Sequence, residues 1–269
     1  MKQPDIDDVK LGAWYAAFAV CPKSKLQTWS CKKCDQTPKV KFLRYLSKPT
    51  SGTAGYVAVR EDSKDGYFIV SFRGTKNAMN GVTNGSAAQA KFSAIDDNEA
   101  RVHMGYLNSM ETLSKDFIGE LKLQLLNEVY KNYKIKVYGH SLGGSMASLA
   151  SIKIKTELNI SWDRLELYTY GQPRVGNMKF AKWFDGKEIS TARVVNNNDS
   201  VPHAPPVDVL TYTHHGNELF IPAKDSNVDV HYCNKDVYED VDCSYSISKY
   251  SEEAHYHFFD TTTGEEFNC

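Results

Sequence analysis

Short apolar runs of strand composition alternate along the chain with longer runs of helical period. Tyr56–Arg60 and Tyr67–Phe72 are rich in β-branched and aromatic residues around the turn-forming Asp65-Gly66, which predicts a hairpin. Leu113, Phe117, Leu121 and Leu125 recur at helical spacing and predict a long helix over Glu111–Tyr133. Three more strands are predicted at Ile135–Tyr138, Leu165–Tyr170 and Thr191–Asn196, with helices between them at Leu142–Lys155 and Met178–Phe184. This series predicts an α/β fold with a mainly parallel central sheet flanked by helices.

The two ends of the chain are harder to interpret. Leu11–Val20 is an apolar stretch of the kind found in signal peptides, but Asp5, Asp7 and Asp8 precede it, where a signal peptide carries positive charge. We therefore expect a first helix that packs on the domain. The residues after 205 are rich in Asp, His, Tyr and Pro, and their pattern assigns no clear elements.

Composition narrows the function classes. The 269 residues are 41% hydrophobic and 24% charged, which suits one globular domain over residues 1–269. A net charge of -1 gives no support for binding to nucleic acid. No apolar run approaches the roughly 20 residues that a transmembrane helix needs.

Six cysteines cluster near the two ends of the chain, and residues 35–232 contain none. Six cysteines allow fifteen pairings, and the clustering favours short local bridges with one link between the termini. Disulfides indicate an oxidising compartment, so we expect a secreted, extracellular protein. A structural zinc site is not expected, because the Cys31–Cys34 pair has no second pair at matching spacing.

The segment Gly139-His140-Ser141-Leu142-Gly143 carries the strongest chemical signal. Its Gly-x-Ser-x-Gly pattern lies between a predicted strand and a predicted helix, as a nucleophile elbow requires. Small neighbours let the strand and helix approach, and the helix N-terminus favours developing negative charge. Ser141 is therefore the candidate nucleophile, whereas His140 is expected to pack and to form hydrogen bonds.

A serine nucleophile needs a base and an acid that orients the base. The best candidate acid is Asp199, just beyond a predicted strand end, because most of the acids after Leu210 lie in hydrophilic stretches and look solvated. Of the downstream histidines, His203 is too close to Asp199, His214 and His215 fall in a polar turn, and His231 adjoins Cys233. His255 and His257 remain, and if their segment is extended both rings point to the same side.

The oxyanion hole is predicted from the same motif. One donor should be the backbone N–H of Leu142, the residue after the nucleophile. The second should follow an earlier strand, where Thr75 ends the segment Phe72-Arg73-Gly74-Thr75. A moving segment directly after Thr75 would cover or uncover the site, so Lys76–Phe92 is a candidate lid.

Six motifs, spread in order over about residues 57 to 260, resemble those of the fungal class 3 lipases and the related type A feruloyl esterases. They are SFRGT (71–75), VHMGYLNS (102–109), VYGHSLGGSMASL (137–149), YTYGQPRVGN (168–177), VVNNNDSVPHAPP (194–206) and AHYHFF (254–259). The resemblance implies an α/β-hydrolase fold and a Ser141, Asp199 and His255 triad, with His255 favoured because the family histidine stands three residues before an aromatic pair. It also implies Thr75 and Leu142 as oxyanion donors and the disulfides Cys21–Cys269, Cys31–Cys34 and Cys233–Cys243.

Two features depart from the resemblance. Val20 stands where many relatives have a pocket-lining aromatic, and the candidate lid is unusually polar, with only Met79, Val82 and Phe92 as large apolar residues. A narrow apolar face predicts weak interfacial activation.

Together these patterns predict a secreted serine esterase that hydrolyses acylglycerols through an acyl-enzyme, acting as a monomer on a lipid or ester substrate at an oil–water interface. No metal or organic cofactor is expected. The alternative is a feruloyl esterase acting on plant cell-wall esters, and a less favoured one is a non-catalytic binding protein on the same fold.

Overall fold

The computed structural model describes residues 4–62, 64–74, 87–222 and 230–269. Its central sheet has eight strands in the order β1-β2-β3-β6-β7-β9-β11-β12, and five neighbouring strands, from β3 to β11, run parallel. The sheet strands are β1 (Lys41–Lys48), β2 (Thr53–Arg60), β3 (Tyr67–Phe72), β6 (Lys134–His140), β7 (Leu165–Tyr170), β9 (Ser190–Asn196), β11 (Glu218–Ile221) and β12 (His231–Tyr232). The predicted hairpin is the antiparallel pair β2–β3. The predicted mainly parallel sheet is confirmed.

Short strands form two smaller sheets beside the main one. One contains β4 (Gln89–Ala90), β5 (Val102–His103), β8 (Gly176–Asn177) and β10 (Tyr212–Thr213), and the other pairs β13 (His257–Phe258) with β14 (Thr261–Thr262). The segments around β8 and β10 follow two different strands of the main sheet. Because β8 and β10 pair with each other, the segments that follow β7 and β9 lie side by side.

Helices cover both faces of the main sheet. They are α1 (Ile6–Ala17), α2 (Lys23–Thr28), α3 (Met104–Leu125), α4 (Leu142–Leu158) and α5 (Met178–Asp185). Alternate residues of each central strand enter different cores: Val137 packs in the cluster that contains α3 and α4, and Tyr138 packs in the cluster that contains α1. In the described part of the chain, no helix is long and apolar enough to cross a membrane.

The predicted helix over Glu111–Tyr133 is displaced in the structure. Helix α3 begins seven positions earlier, at Met104, because the Nδ1 atom of His103 accepts hydrogen bonds from Gly105 N at 3.1 Å and Tyr106 N at 3.3 Å. It ends at Leu125, and the side chain of Asn127 then accepts a bond from Val129 N at 2.9 Å, which stabilises a turn. The apolar spacing was interpreted correctly, but the boundaries were wrong.

The six cysteines are bonded in the pairs Cys21–Cys269, Cys31–Cys34 and Cys233–Cys243, with Cα–Cα distances of 5.6, 5.1 and 6.1 Å. The apolar stretch at the N-terminus packs on the sheet as α1 and a following 3₁₀ turn, Phe18–Val20, with Phe18 fully buried. The disulfide between Cys21 and Cys269 therefore connects the segment that contains Cys269 covalently to the end of this N-terminal helical segment.

Candidate active site

Ser141 lies on a sharp turn between β6 and α4. Its backbone has φ 60° and ψ -131°, outside the regions that L-residues prefer, and its amide donates to Tyr170 O at 2.9 Å. The turn depends on glycine: a Cβ on Gly139 would lie 2.1 Å from Gly143 O, and a Cβ on Gly143 would lie 2.2 Å from Phe72 O. The local geometry is that of a nucleophile elbow, as predicted.

Asp199 and His255 meet in a fully buried pair. His255 Nδ1 lies 3.0 and 2.9 Å from the two carboxylate oxygens of Asp199, and the residues are 1% and 0% exposed. The carboxylate also accepts a hydrogen bond from Val201 N at 2.9 Å. The other ring nitrogen, His255 Nε2, and the hydroxyl of Ser141 are both buried and have no hydrogen-bond partner among the described residues. Among the described residues, no hydrogen bond therefore occupies either His255 Nε2 or the Ser141 hydroxyl, and both are available for proton transfer.

The local backbone distinguishes His255 from His257. The segment is not extended as assumed: Glu253–Tyr256 forms a 3₁₀ turn, and β13 starts at His257. The two rings consequently separate. His255 is buried, whereas the side chain of His257 is 45% exposed and its Nδ1 donates to Glu253 O at 3.0 Å.

His140 lies next to His255. Its Nε2 donates to the backbone oxygen of His255 at 2.7 Å, and the centroids of the two rings are 4.4 Å apart. Burial, with a smaller effect of His255, holds the pKa of His140 well below its ordinary value. The residue is thus a neutral hydrogen-bond donor, which agrees with the packing role predicted for it.

Of the two candidate oxyanion donors, Leu142 and Thr75, the structure describes only Leu142. Leu142 is the first residue of α4, so its amide belongs to the helix N-terminus. Gly74 packs on the elbow, since a Cβ there would lie 3.0 Å from both His140 O and Ser141 Cβ. Thr75 follows directly in sequence but lies outside the described residues, as do positions 76–86 of the candidate lid.

The end of the candidate lid is fixed to the body of the protein. The side-chain amide of Gln89 donates to Leu210 O at 2.8 Å, and the Tyr212 hydroxyl donates to Ala87 O at 3.1 Å. Phe92 is only 4% exposed and packs in the core beside α3. Phe92 therefore belongs to the core in this structure.

The expectation that His214 and His215 fall in a polar turn was wrong. His214 and His215 do not lie in a solvated turn but are buried, and burial is the main cause that lowers both of their pKa values, that of His215 to about 3. The acids after Leu210 are not uniformly solvated either: Glu218 and Glu239 form ion pairs with the buried Arg193 and Arg174.

The pair formed by Arg174 and Glu239 is a structural element that sequence reasoning missed. Two guanidinium nitrogens donate to the two carboxylate oxygens at 2.9 and 2.6 Å, and a third donates to Pro205 O at 2.9 Å and to His203 O. Arg174 thereby holds the loop that follows Asp199. The available signal was a cationic residue inside the otherwise uncharged Gly171–Gly176 segment.

Within the described ranges, two groups of potential metal ligands occur. One contains Cys21, Cys31 and Cys269, and the other contains Glu218, Cys233 and Cys243. All of these cysteines are in disulfides and offer no thiolate to a metal ion. Neither group has the donor set of a zinc site.

Comparison with known proteins decides the family. Residues 69–209 match the family model described as Lipase (class 3). The chain belongs to the class 3 lipase family. The chain is similar to the lipase of Rhizopus niveus, with 33% identity over 259 residues, covering 94% of this chain but 63% of the relative. It thus spans less than two thirds of the length of that curated relative.

A more distant relative and a solved structure extend the comparison. The "Secreted mono- and diacylglycerol lipase 1" of Fusarium solani is 31% identical over 171 residues, covering 64% of this chain and 48% of the relative. A triacylglycerol lipase whose catalytic centre is described as a serine protease triad superposes with a TM-score of 0.86 at 30% identity, covering 98% of this chain and 97% of that one. The predicted α/β-hydrolase fold is confirmed by this likeness. The feruloyl esterase alternative gains no support from these relatives.

Proposed function

We propose that this chain is a secreted serine esterase that hydrolyses the carboxylic esters of acylglycerols through an acyl-enzyme. The observation that carries the proposal is the buried pair of His255 and Asp199, combined with a strained serine at the head of α4. The set contains one nucleophile, one base and one orienting acid, which are the parts that acyl transfer requires.

In the proposed mechanism, Ser141 Oγ attacks the ester carbonyl while His255 Nε2 takes the hydroxyl proton. Asp199 accepts the Nδ1 proton in a hydrogen bond, which fixes the tautomer and stabilises the imidazolium. His255 then gives the proton to the leaving alcohol, and water attacks the acyl-enzyme by the same route. The Leu142 and Thr75 amides would stabilise the oxyanion, each by about 3 kcal/mol in the transition state.

The base assignment has a matched control two residues away. His255→Ala should lower hydrolysis by about three orders of magnitude. His257→Ala should have a small effect, because its side chain is 45% exposed and lies outside the buried pair. The reverse result would mean that the wrong histidine is named as the base.

The substrate class rests on the relatives. One is named a triacylglycerol lipase and another a mono- and diacylglycerol lipase, so acylglycerols are the class that we propose for this chain. Rates on emulsified triacylglycerol, on monoacylglycerol and on methyl ferulate should be compared. A preference for either glyceride supports the proposal, and a preference for methyl ferulate overturns it.

Location and organisation complete the proposal. Three disulfides suit an oxidising compartment, and the Fusarium solani relative is named as secreted.

We propose a single domain that acts as a monomer, since one chain supplies every proposed catalytic group. We also propose that a lid follows Thr75 and ends where hydrogen bonds at Ala87 and Gln89 fix the chain. Light scattering in solution would test the monomer.

A further inference from the structure

Two consecutive backbone carbonyls, those of Ala254 and His255, accept hydrogen bonds from buried side chains of the main sheet. Asn196 Nδ2 donates to Ala254 O at 3.0 Å, and His140 Nε2 donates to His255 O at 2.7 Å. Asn196 and His140 are 5% and 3% exposed. These two carbonyls belong to the peptide groups on either side of the His255 Cα, so a buried donor to each of them fixes the His255 backbone on both sides.

The two donors stand at equivalent places in the fold. His140 is the last residue of β6 and Asn196 is the last residue of β9, and both strands pair in parallel with β7. Paired core strands are among the most stable parts of a fold. The 3₁₀ turn that carries His255 is a single short turn, so its position depends on its contacts with the rest of the fold.

Each donor is also linked to another member of the proposed triad. His140 is covalently adjacent to Ser141, and the backbone oxygen of Asn196 accepts a hydrogen bond from Asp199 N at 3.0 Å. Thus the same two residues connect the base to the nucleophile and to the acid. Side chains that only filled space in the core would not need these links to Ser141 and Asp199.

We propose that His140 and Asn196 are positioning residues that hold the His255 backbone in register with Ser141 and Asp199, so that His255 Nε2 stays within reach of the serine hydroxyl. This inference rests on the proposed esterase function. Neither residue touches the reacting atoms. Their contribution is to geometry, and a displacement of about 1 Å in such a site costs up to about 100-fold in rate.

The chemistry of His140 agrees with this role. Its Nε2 faces a carbonyl oxygen, so that nitrogen carries the proton, while its Nδ1 has no partner in the described part of the chain. Burial disfavours the charged form. A neutral ring is required there, because the proposed mechanism places a positive charge on His255, whose ring centroid is 4.4 Å away. A glutamine could supply the same N–H donor without charge.

The experiment compares His140→Leu, His140→Gln and Asn196→Leu with the wild type. Hydrolysis of p-nitrophenyl butyrate is measured per active site, with sites counted by a fluorophosphonate, and the downfield Nδ1–H proton of His255 is followed by NMR. Both leucine variants should lower kcat by about 10- to 100-fold with little change in KM, and should shift or broaden the Nδ1–H signal. His140→Gln should recover most of kcat and the signal.

A control separates positioning from stability. Val59→Ala removes buried volume from β2, at the opposite end of the sheet, and should lower the unfolding temperature without lowering kcat per site. If His140→Leu does not fold, Asn196→Leu decides by the same measurements. Unchanged kcat per site in the leucine variants, or a glutamine variant as slow as His140→Leu, overturns the proposal. Absence of wild-type hydrolysis would instead refute the esterase function, and the NMR comparison would still test the positioning.

Discussion

Gly171 lies directly against the carboxylate of Asp199. A Cβ at Gly171 would come within 2.7 Å of Asp199 Oδ2 and within 2.7 Å of His255 Nδ1, and the residue has φ +59°. The contact explains why a residue without a side chain follows β7 at this point: any larger residue would separate Asp199 from His255 or displace both.

Gly171→Ala should therefore lower kcat by at least about 100-fold, because misplacement of the buried pair disrupts the base. It should also cost about 1–2 kcal/mol of stability for the left-handed backbone. Gly52→Ala is the matched control: Gly52 has φ +68°, and no atom of the described residues lies within 4 Å of where a Cβ would stand. That variant should show the backbone cost alone, measured by urea unfolding, and full activity. Equal activity in the two variants would contradict the argument.

Arg174→Met should destabilise the protein by about 3–5 kcal/mol, because it leaves the carboxylate of Glu239 buried without its cation. Lys179→Met removes a cation from Glu99 at the same separation, 2.6 Å, but those side chains are 53% and 71% exposed. Its cost should be much smaller, because water screens an exposed ion pair. Chemical denaturation of both variants measures the loss in the free energy of unfolding. Similar losses would contradict a larger contribution from the buried pair.

The same pair should make stability sensitive to acid. Burial opposes ionisation of Glu239, but the hydrogen bond and charge of Arg174 outweigh it, so its pKa is lowered in the folded state. A lowered carboxyl pKa gives stability that is present above the unfolded value, about 4.3, and is lost as pH falls through the folded value.

His215→Gln should flatten the loss of stability between about pH 6 and pH 4. Burial, and then the charge of Arg193, lower the folded pKa of His215 to about 3, so in this range only the unfolded state binds the proton. Stability contributed by the neutral ring is complete above about pH 6.5 and falls by about 1.4 kcal/mol per pH unit below it. Urea unfolding at a series of pH values measures the slope. An unaltered slope in His215→Gln would refute the account.

The link between Cys21 and Cys269 should contribute more stability than the one between Cys31 and Cys34. Their sequence separations are 248 and 3, and the chain-entropy model gives up to about 5 kcal/mol for a very long loop. Cys269→Ala should thus lower the unfolding midpoint far more than Cys34→Ala. Mass spectrometry of a non-reduced digest tests the pairing itself, and a fragment that links Cys34 to Cys269 would overturn it.

Sequence patterns were sufficient where local signals and long-range structure agree. The strand–turn–helix context around Ser141 predicted an elbow that the structure contains, and Leu165–Tyr170 is the predicted strand to the residue. Patterns failed where a distant partner changes the environment. Glu239 looked solvated because Arg174, 65 residues away, cannot be inferred as its partner from local polarity.

The same limit applies to helix starts and to the choice of base. His103 caps α3 through a ring nitrogen, although histidine is not among the preferred capping residues. Alternation could not separate His255 from His257, because the 3₁₀ turn that separates their rings depends on the packing around them.

The most direct test of the central claim is to label the protein with a fluorophosphonate and to map the adduct by mass spectrometry while hydrolysis is followed. We predict one label per chain, on Ser141, with activity lost in proportion to labelling, and no label in Ser141→Ala. A label on another serine, or hydrolysis that persists in the fully labelled protein, would contradict the assignment of Ser141 as the nucleophile.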